Sequence, residues 1–455
     1  MSIPAYPTYK DSRVEWLGEV PTDWVVSKLG YFFREPPCYG VLVPDFDPDG
    51  VPMLRITDME HEFIDTSGLV TISTELSSQY SRTIVKEGDI VLSLVGTIGK
   101  AFEIGPKLVG VNLSRAIARI QLDSNTLPRY LCWIFQSRAF THFIDLVCRG
   151  TAQRVLNLSD LNAFSFVFPT NVEQFAISAF LDHETARIDV LIEEQQRLIE
   201  LLKEKRQAVI SHAVTKGLDS TAPMKDSGVE WLGEVPAHWE IGGLTRFIGP
   251  VVDYRGRTPT KVDDGVFLVT ARNIRNGRID YEASEEYADP ESAESLLARG
   301  RPEIGDLLFT MEAPLGQVAL IDRTDIALAQ RIVKFRGEPS IMRNHYLMFW
   351  LMSKTCQARL ETLATGSTAL GIKSSKLGMI ECLAPTLNEQ DAIVSHIQRE
   401  SEQNDALVYE AANVIGLLQE RRSALISAAV TGKIDVRGWQ PPVGASSPEL
   451  AQEAV

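Results

Sequence analysis

The chain has 455 residues, 44% hydrophobic and 23% charged, with a net charge of −15. These values exclude a disordered chain, a collagen-like fibre and a disulfide-stapled mini-protein. No apolar run approaches the roughly 20 residues that span a bilayer. The acidic balance argues against nucleic acid unless local basic faces exist, because phosphate affinity comes mainly from lysine and arginine.

The opening residues lack the apolar core of a secretory signal. Cys38, Cys132, Cys148, Cys356 and Cys382 are odd in number, widely spaced and form no CxxC pair. Neither a zinc site nor a disulfide framework is indicated, and a reducing cytoplasm is expected.

The first element met along the chain is a repeated one. Residues 10–24 read KDSRVEWLGEVPTDW, and residues 225–239 read KDSGVEWLGEVPAHW, identical at 12 of 15 positions. Pro169–Gln174 matches Pro385–Gln390 at an offset of 216, and Ala213–Gly217 matches Ala429–Lys433 at the same offset. That period is too long for a solenoid, so the chain is two copies of one domain in tandem. Residues 25–168 and 240–384 share little, so the frame is duplicated and the interiors differ. Near-identity of the four tryptophans in two divergent halves marks them as core.

Within the first interior, residues 35–62 are strongly acidic. Ile90–Val95 reads as a strand, followed by the glycine turn Gly96-Thr97-Ile98-Gly99 and a second strand. Lys107–Arg119 is basic without an acid, and Pro128–Phe143 reads as one amphipathic helix. Cys148–Leu158 adds Arg149 and Arg154.

Residues 175–216 read as a long helix with a 3, 4 and 7 spacing of apolar residues, the pattern of a coiled coil. Ile188, Leu191, Leu198, Leu202 and Val209 are expected on its seam, and Leu407, Val414, Leu418 and Leu425 on the seam of its copy. Gly217 and Gly432 stop the helices. About 32 residues of helix span roughly 48 Å, or about 14 base pairs of B-DNA. Antiparallel pairing would set the globular halves at opposite ends.

In the second interior, Tyr254–Ile279 holds six basic residues against two acids. Val318–Ile321 and Ile332–Phe335 read as strands, and His345–Leu363 as one helix. Ala364–Lys376 carries Lys373 and Lys376 at the repeat position of the 148–158 cluster. The tail 437–455, with Pro441-Pro442 and an Ala/Ser/Glu bias, reads as disordered.

Arginine, asparagine and glutamine suit bidentate base reading. The DNA-contact candidates of the first half are Arg55, Thr57, Lys100, Arg115, Arg149, Gln153 and Arg154. Those of the second are Arg255, Arg257, Arg272, Asn273, Arg275, Arg278, Gln330, Arg331, Ser367, Lys373 and Lys376. No catalytic residue or metal site is proposed: there is no GxxxxGK[ST], HExxH or GxSxG, no Asn-Pro-Pro-Tyr/Phe run, and the seven histidines show no ligand spacing. From the residues alone, an enzyme with a dispersed site and an adaptor that joins proteins without DNA stay open.

Trp16-Leu17-Gly18-Glu19-Val20-Pro21 with Trp24, repeated at Trp231–Trp239, resembles the opening of each half in specificity subunits of type I restriction–modification systems. So do Gly88-Asp89-Ile90 with Gly96-Thr97-Ile98-Gly99, Glu312-Ala313-Pro314-Leu315-Gly316, Ala329-Gln330-Arg331-Ile332 and the Pro-x-x-x-Glu-Gln entries to both helices. The likeness covers about residues 10–436. Leu94-Val95 departs from it, standing where the family often has a polar or basic residue.

The resemblance implies an α+β chain with two tandem α/β target-recognition domains. Each is followed by a long helix, and the two helices pair as an antiparallel coiled coil with pseudo-twofold symmetry. The expected division is 1–173 and 218–389 for the recognition domains, 174–217 and 390–436 for the spacer helices, and 437–455 for the tail. It also implies a non-catalytic subunit that reads a split, asymmetric target on double-stranded DNA. Two modification (methyltransferase) subunits dock on its helices and recruit restriction subunits; no membrane is involved. S-adenosylmethionine, ATP and Mg²⁺ then belong to partner subunits, with no cofactor in this chain.

Overall fold

The computed structural model describes residues 4–60, 64–148, 154–256, 258–366 and 370–441. The chain divides into two compact units, Met1–Gln195 with Asn413–Val455, and Gln196–Ala412. Each long helix therefore contributes to both units.

In the first unit a four-stranded antiparallel sheet has the order Phe33–Tyr39, Ile117–Leu122, Ile90–Ser93, Ala101–Glu103. The second unit repeats it with Val252–Asp253, Ile332–Phe335, Leu307–Thr310 and Val318–Leu320. The inner strands Ile90-Val91-Leu92 and Leu307-Leu308-Phe309 are apolar without alternation and wholly buried, as strands covered on both faces are. A second sheet in each unit joins two strands in parallel, Phe46–Leu54 with Asn112–Leu113, and Val266–Val269 with Ile326–Leu328.

The region 128–143 is two helices, Pro128–Phe135 and Arg138–Val147. Its counterpart is Asn344–Met352 and Lys354–Leu363. The single helices expected from periodicity are broken by a serine at the same repeat position. Ser137 accepts from Phe140 N at 3.3 Å, and Ser353 from Cys356 N at 3.2 Å, each hydroxyl capping the next helix.

The repeated Pro-Thr-x-x-Glu-Gln and Pro-Thr-Leu-Asn-Glu-Gln runs open the long helices, Asn171–Lys216 and Leu387–Val430. Thr170 and Glu173 exchange side-chain and backbone hydrogen bonds, as do Thr386 and Glu389, which is a capping box. Gln174 and Gln390 are buried. Each accepts from a backbone N–H (Leu127, Arg343) and donates to the preceding proline carbonyl (Pro169, Pro385). Gly217 and Gly432 follow the helices at φ 76° and 72°, a conformation that suits glycine.

Within the first unit the helical segments run antiparallel: Asp189 meets Arg422, while Phe180, further back, meets Trp439 beyond the second helix. The inner face of the first helix is Leu181, Thr185, Ile188, Ile192, Gln195, Ile199, Leu202, Arg206, Val209 and Ala213, all buried or half-buried. The same positions plus 216 line the second helix, from Ile397 to Ala429.

Four expected seam residues depart from this face. Leu191, Leu198, Leu407 and Val414 are exposed, at 45, 41, 46 and 40%. The seam admits polar residues that satisfy themselves locally, as Thr185 does by donating to Leu181 O at 2.6 Å, so leucine spacing alone misplaced it. Ile188 and Leu202 are buried, and Val209, Leu418 and Leu425 half-buried.

The tail was expected to be disordered from residue 437. Its first residues are instead held. Arg437 lies 4.8 Å over the Tyr6 ring, and the Trp439 ring lies 5.4 Å from Phe180. Residues 442–455 lie outside the described residues.

Candidate nucleic-acid interface

One end of each four-stranded sheet carries a hairpin built the same way twice. Ser93 Oγ donates to Thr97 O at 2.5 Å and accepts from Lys100 N at 2.9 Å. Thr310 Oγ1 donates to Pro314 O at 2.6 Å and accepts from Gln317 N at 2.9 Å. Gly96 and Gly99 take positive φ in the first hairpin, Ala313 and Gly316 in the second. A bridge ties each hairpin to a later loop, Val95 to Val155 and Glu312 to Gly371. The strand register brings Arg115 to this end in the first unit. In the second it brings Arg255, Gln330 and Arg331.

In the first unit Arg55 is forked onto Asp58, at 2.8 and 3.1 Å. Arg154 pairs with Asp145 at 2.6 Å. Thr57 is exposed. Lys100 and Arg115 are exposed, and their side chains have no partner among the described residues. Arg149 and Gln153 lie outside the described residues, as do Arg257 and Ser367.

In the second unit Arg255 clamps Asp253 at 2.6 Å, and Ser374 Oγ donates to the same carboxylate at 2.8 Å. Burial opposes ionisation of Asp253, but these hydrogen bonds outweigh it and hold the carboxyl at about 2. Arg331 lies 3.4 Å from Glu312. Gln330 accepts from Thr258 Oγ1 at 2.9 Å, and Arg275 sits 3.5 Å from Asp280. Arg272, Arg278 and Lys373 are exposed, with no side-chain partner among the described residues.

Two candidates are corrected. Asn273 is fully buried. Its amide accepts from Thr270 N and Oγ1 and donates to Asp280 O and Ser284 O, each at 2.9 Å, which uses its capacity on the loop. Lys376 is half-buried and donates to Leu363 O at 2.7 Å, closing a turn. Sequence reasoning missed Asp253, Ser374 and Glu312 as members of this end. A hint for Glu312 was its place in the repeated hairpin, where the first half has Val95.

Of the four repeated tryptophans, Trp16 and Trp231 are half-buried against the cores and the other two lie within them. Trp24 and Trp239 are buried at 1% and lie 3.4 and 3.3 Å from Glu173 and Glu389. Among the described residues no group of histidine, cysteine or acidic side chains suits a metal, and no helix is long and apolar enough to cross a membrane.

A duplicated frame with differing, cation-bearing ends defines a tandem recognition protein. The chain belongs to the type I restriction modification DNA specificity domain family, whose model matches residues 21–202 and 268–408. It is similar to the specificity subunit of the type I restriction enzyme EcoBI of Escherichia coli, at 28% identity over 43% of this chain and 42% of that one. That match spans less than half of the relative's length. The EcoKI specificity subunit of Escherichia coli K12 matches at 18% identity over 95% of this chain and 93% of its own. Two solved structures share the fold. One is a chain of a type I R-M system (TM-score 0.68, 15% identity, 91% of this chain and 99% of that one). The other is the HsdS subunit of Thermoanaerobacter tengcongensis (0.50, 16%, 91% and 98%).

Proposed function

We propose that this chain is the sequence-reading subunit of a type I restriction–modification complex, each unit reading one part of a split, asymmetric duplex target. The observation that carries this is one sheet-end hairpin built twice with different side chains at its rim. Lysines and arginines set register on phosphates, and a few side chains read base edges. Lys100 and Arg115 serve in the first unit; Arg272, Arg278 and Lys373 serve in the second. The working division is 1–173 and 218–389 for reading, 174–217 and 390–436 for spacing.

The two helices act as a ruler with pseudo-twofold symmetry and dock two methyltransferase subunits, which supply the S-adenosylmethionine chemistry; restriction subunits supply the ATP- and Mg²⁺-dependent steps. The outward-facing Leu191, Leu198, Leu407 and Val414 support docking, because exposed apolar side chains on long helices suit partner helices. This chain is the non-catalytic member. With a net charge of −15, alone it binds DNA weakly at physiological salt.

The test is a seven-residue insertion in both helices, after Gln195 and after Ala412. A heptad keeps the seam in register and adds about 10 Å, or about 3 base pairs. Methylation mapping of a host is expected to show the same two sequence elements with a wider gap. An unchanged gap refutes the reading.

A further inference from the structure

The four-stranded sheet of the first unit ends in an apolar tip. Tyr39 closes the strand Phe33–Tyr39 at the end where Ser93 and Ile117 also lie, the end that carries the hairpin. Beyond it come Leu42 and Val43, exposed at 57 and 76%. Tyr39 and Phe46, on either side, are exposed as well. A single exposed leucine needs no explanation, but a cluster of exposed apolar side chains marks a contact surface.

The tip is held at its base. Val41 is buried; its N–H donates to Leu113 O at 2.7 Å and its carbonyl accepts from Arg115 N at 2.9 Å. At Gly40 an added Cβ would stand 2.1 Å from Leu113 O, so the backbones are in contact there. On the far side Asp45 O accepts from Ser73 N at 3.0 Å. Leu42 and Val43 are therefore carried on a short span fixed at both ends, which lowers the ordering cost of a contact.

Charge narrows what the tip meets. Arg115 stands beside its base, and Lys100 lies at the same sheet end, where its N–H donates to Ser93 Oγ. The tip is thus continuous with the cations assigned above to a duplex. Asp45, Asp47 and Asp49 follow it in the chain, and their carboxylates repel phosphates. Apolar side chains have nothing to offer a phosphate either. The apolar group that a base edge displays is the C5 methyl of thymine, in the major groove.

We infer that Leu42 and Val43 are specificity-determining residues of the first unit, which read a thymine by packing against its C5 methyl group. The inference rests on the reading proposed above, and the experiment separates the two. The full chain is supplied to cells with the rest of its system, and modified sites are mapped. Duplexes of the mapped target then carry uracil, which lacks only that methyl, in place of each thymine of the first unit's element in turn. Binding is measured with the complex of this chain and its methyltransferase subunits.

Uracil at one position is expected to weaken binding roughly 4-fold, the worth of one buried CH₂. The complex with Leu42→Ala and Val43→Ala is expected to bind the thymine and uracil duplexes alike. Its mapped sites should relax at that position and keep the element read by the second unit. Equal wild-type affinity for thymine and uracil at every position overturns the inference, as does uracil sensitivity that survives in the double variant. Loss of methyltransferase subunits from the double variant also overturns it, and would make the tip a protein contact. No modified sites with the wild-type chain would sink the underlying reading, and this inference with it.

Discussion

Arg206 Nη1 lies 3.0 Å from Asp405 Oδ1 across the paired helices. The pair recurs, with every number shifted by the repeat offset, as Arg422 and Asp189 at 2.9 Å. Both are partly exposed, so each is expected to contribute under about 1 kcal/mol. Arg206→Ala and Arg422→Ala should add without coupling, because they act in different units. Arg206→Asp is expected to be rescued by Asp405→Arg. Urea unfolding of the single and double variants checks both points.

Leu198→Asp with Val414→Asp is expected to leave the chain's own stability within about 0.5 kcal/mol, since exposed positions tolerate charge. Recovery of methyltransferase subunits on the tagged chain should fall. Loss of fold by circular dichroism would restore these residues to the seam.

Trp24→Ala is expected to cost roughly 3–5 kcal/mol, the range for emptying a buried aromatic site. Trp24→Phe should cost less and leave the recognised sequence unchanged. A changed sequence would give the repeated tryptophans a reading role.

Asn273 and Arg272 are chain neighbours with opposite expectations. Asn273→Ala strands the Thr270 N–H in a half-buried loop and should cost roughly 1–3 kcal/mol, read as a lowered denaturation midpoint. Arg272→Ala should leave that midpoint in place, weaken binding to all duplexes and flatten the salt slope by about one.

Asp253 gives a pH test. Its folded pKa of about 2 lies below the ordinary 3.8. The stabilisation is therefore complete above about pH 4 and is lost as pH falls toward 2. Asp253→Asn should flatten the decline of the urea midpoint in that window. An identical decline in both proteins would mean that the Arg255 clamp adds nothing to folding.

The duplication, both long helices and several strands were legible because each rests on local periodicity or on direct comparison of the two halves. Ile332–Phe335 was read with its observed bounds. The serine breaks at Ser137 and Ser353 were missed, since the helical pattern on either side continues in phase and only the hydroxyl cap reveals the gap. The seam was half-read because Gln195 and Arg206 occupy inner positions while Leu191 and Leu198 face out. At the rim, residue type was legible and availability was not. Arg55 and Arg272 look alike in sequence, yet one is spent on Asp58 and the other has no side-chain partner among the described residues, and that depends on which carboxylate the fold brings near.

The first unit draws on residues from both ends of the chain, whereas the second is one continuous stretch. On a ribosome the downstream unit thus has all its residues while the upstream one still lacks Asn413–Trp439. At about 5–20 residues per second, the earlier-made unit waits on the order of tens of seconds with Ile177, Phe180 and Leu181 lacking the Ile426, Ala429 and Val430 that share their cluster. Premature termination near residue 412 would leave a finished second unit attached to a permanently open first.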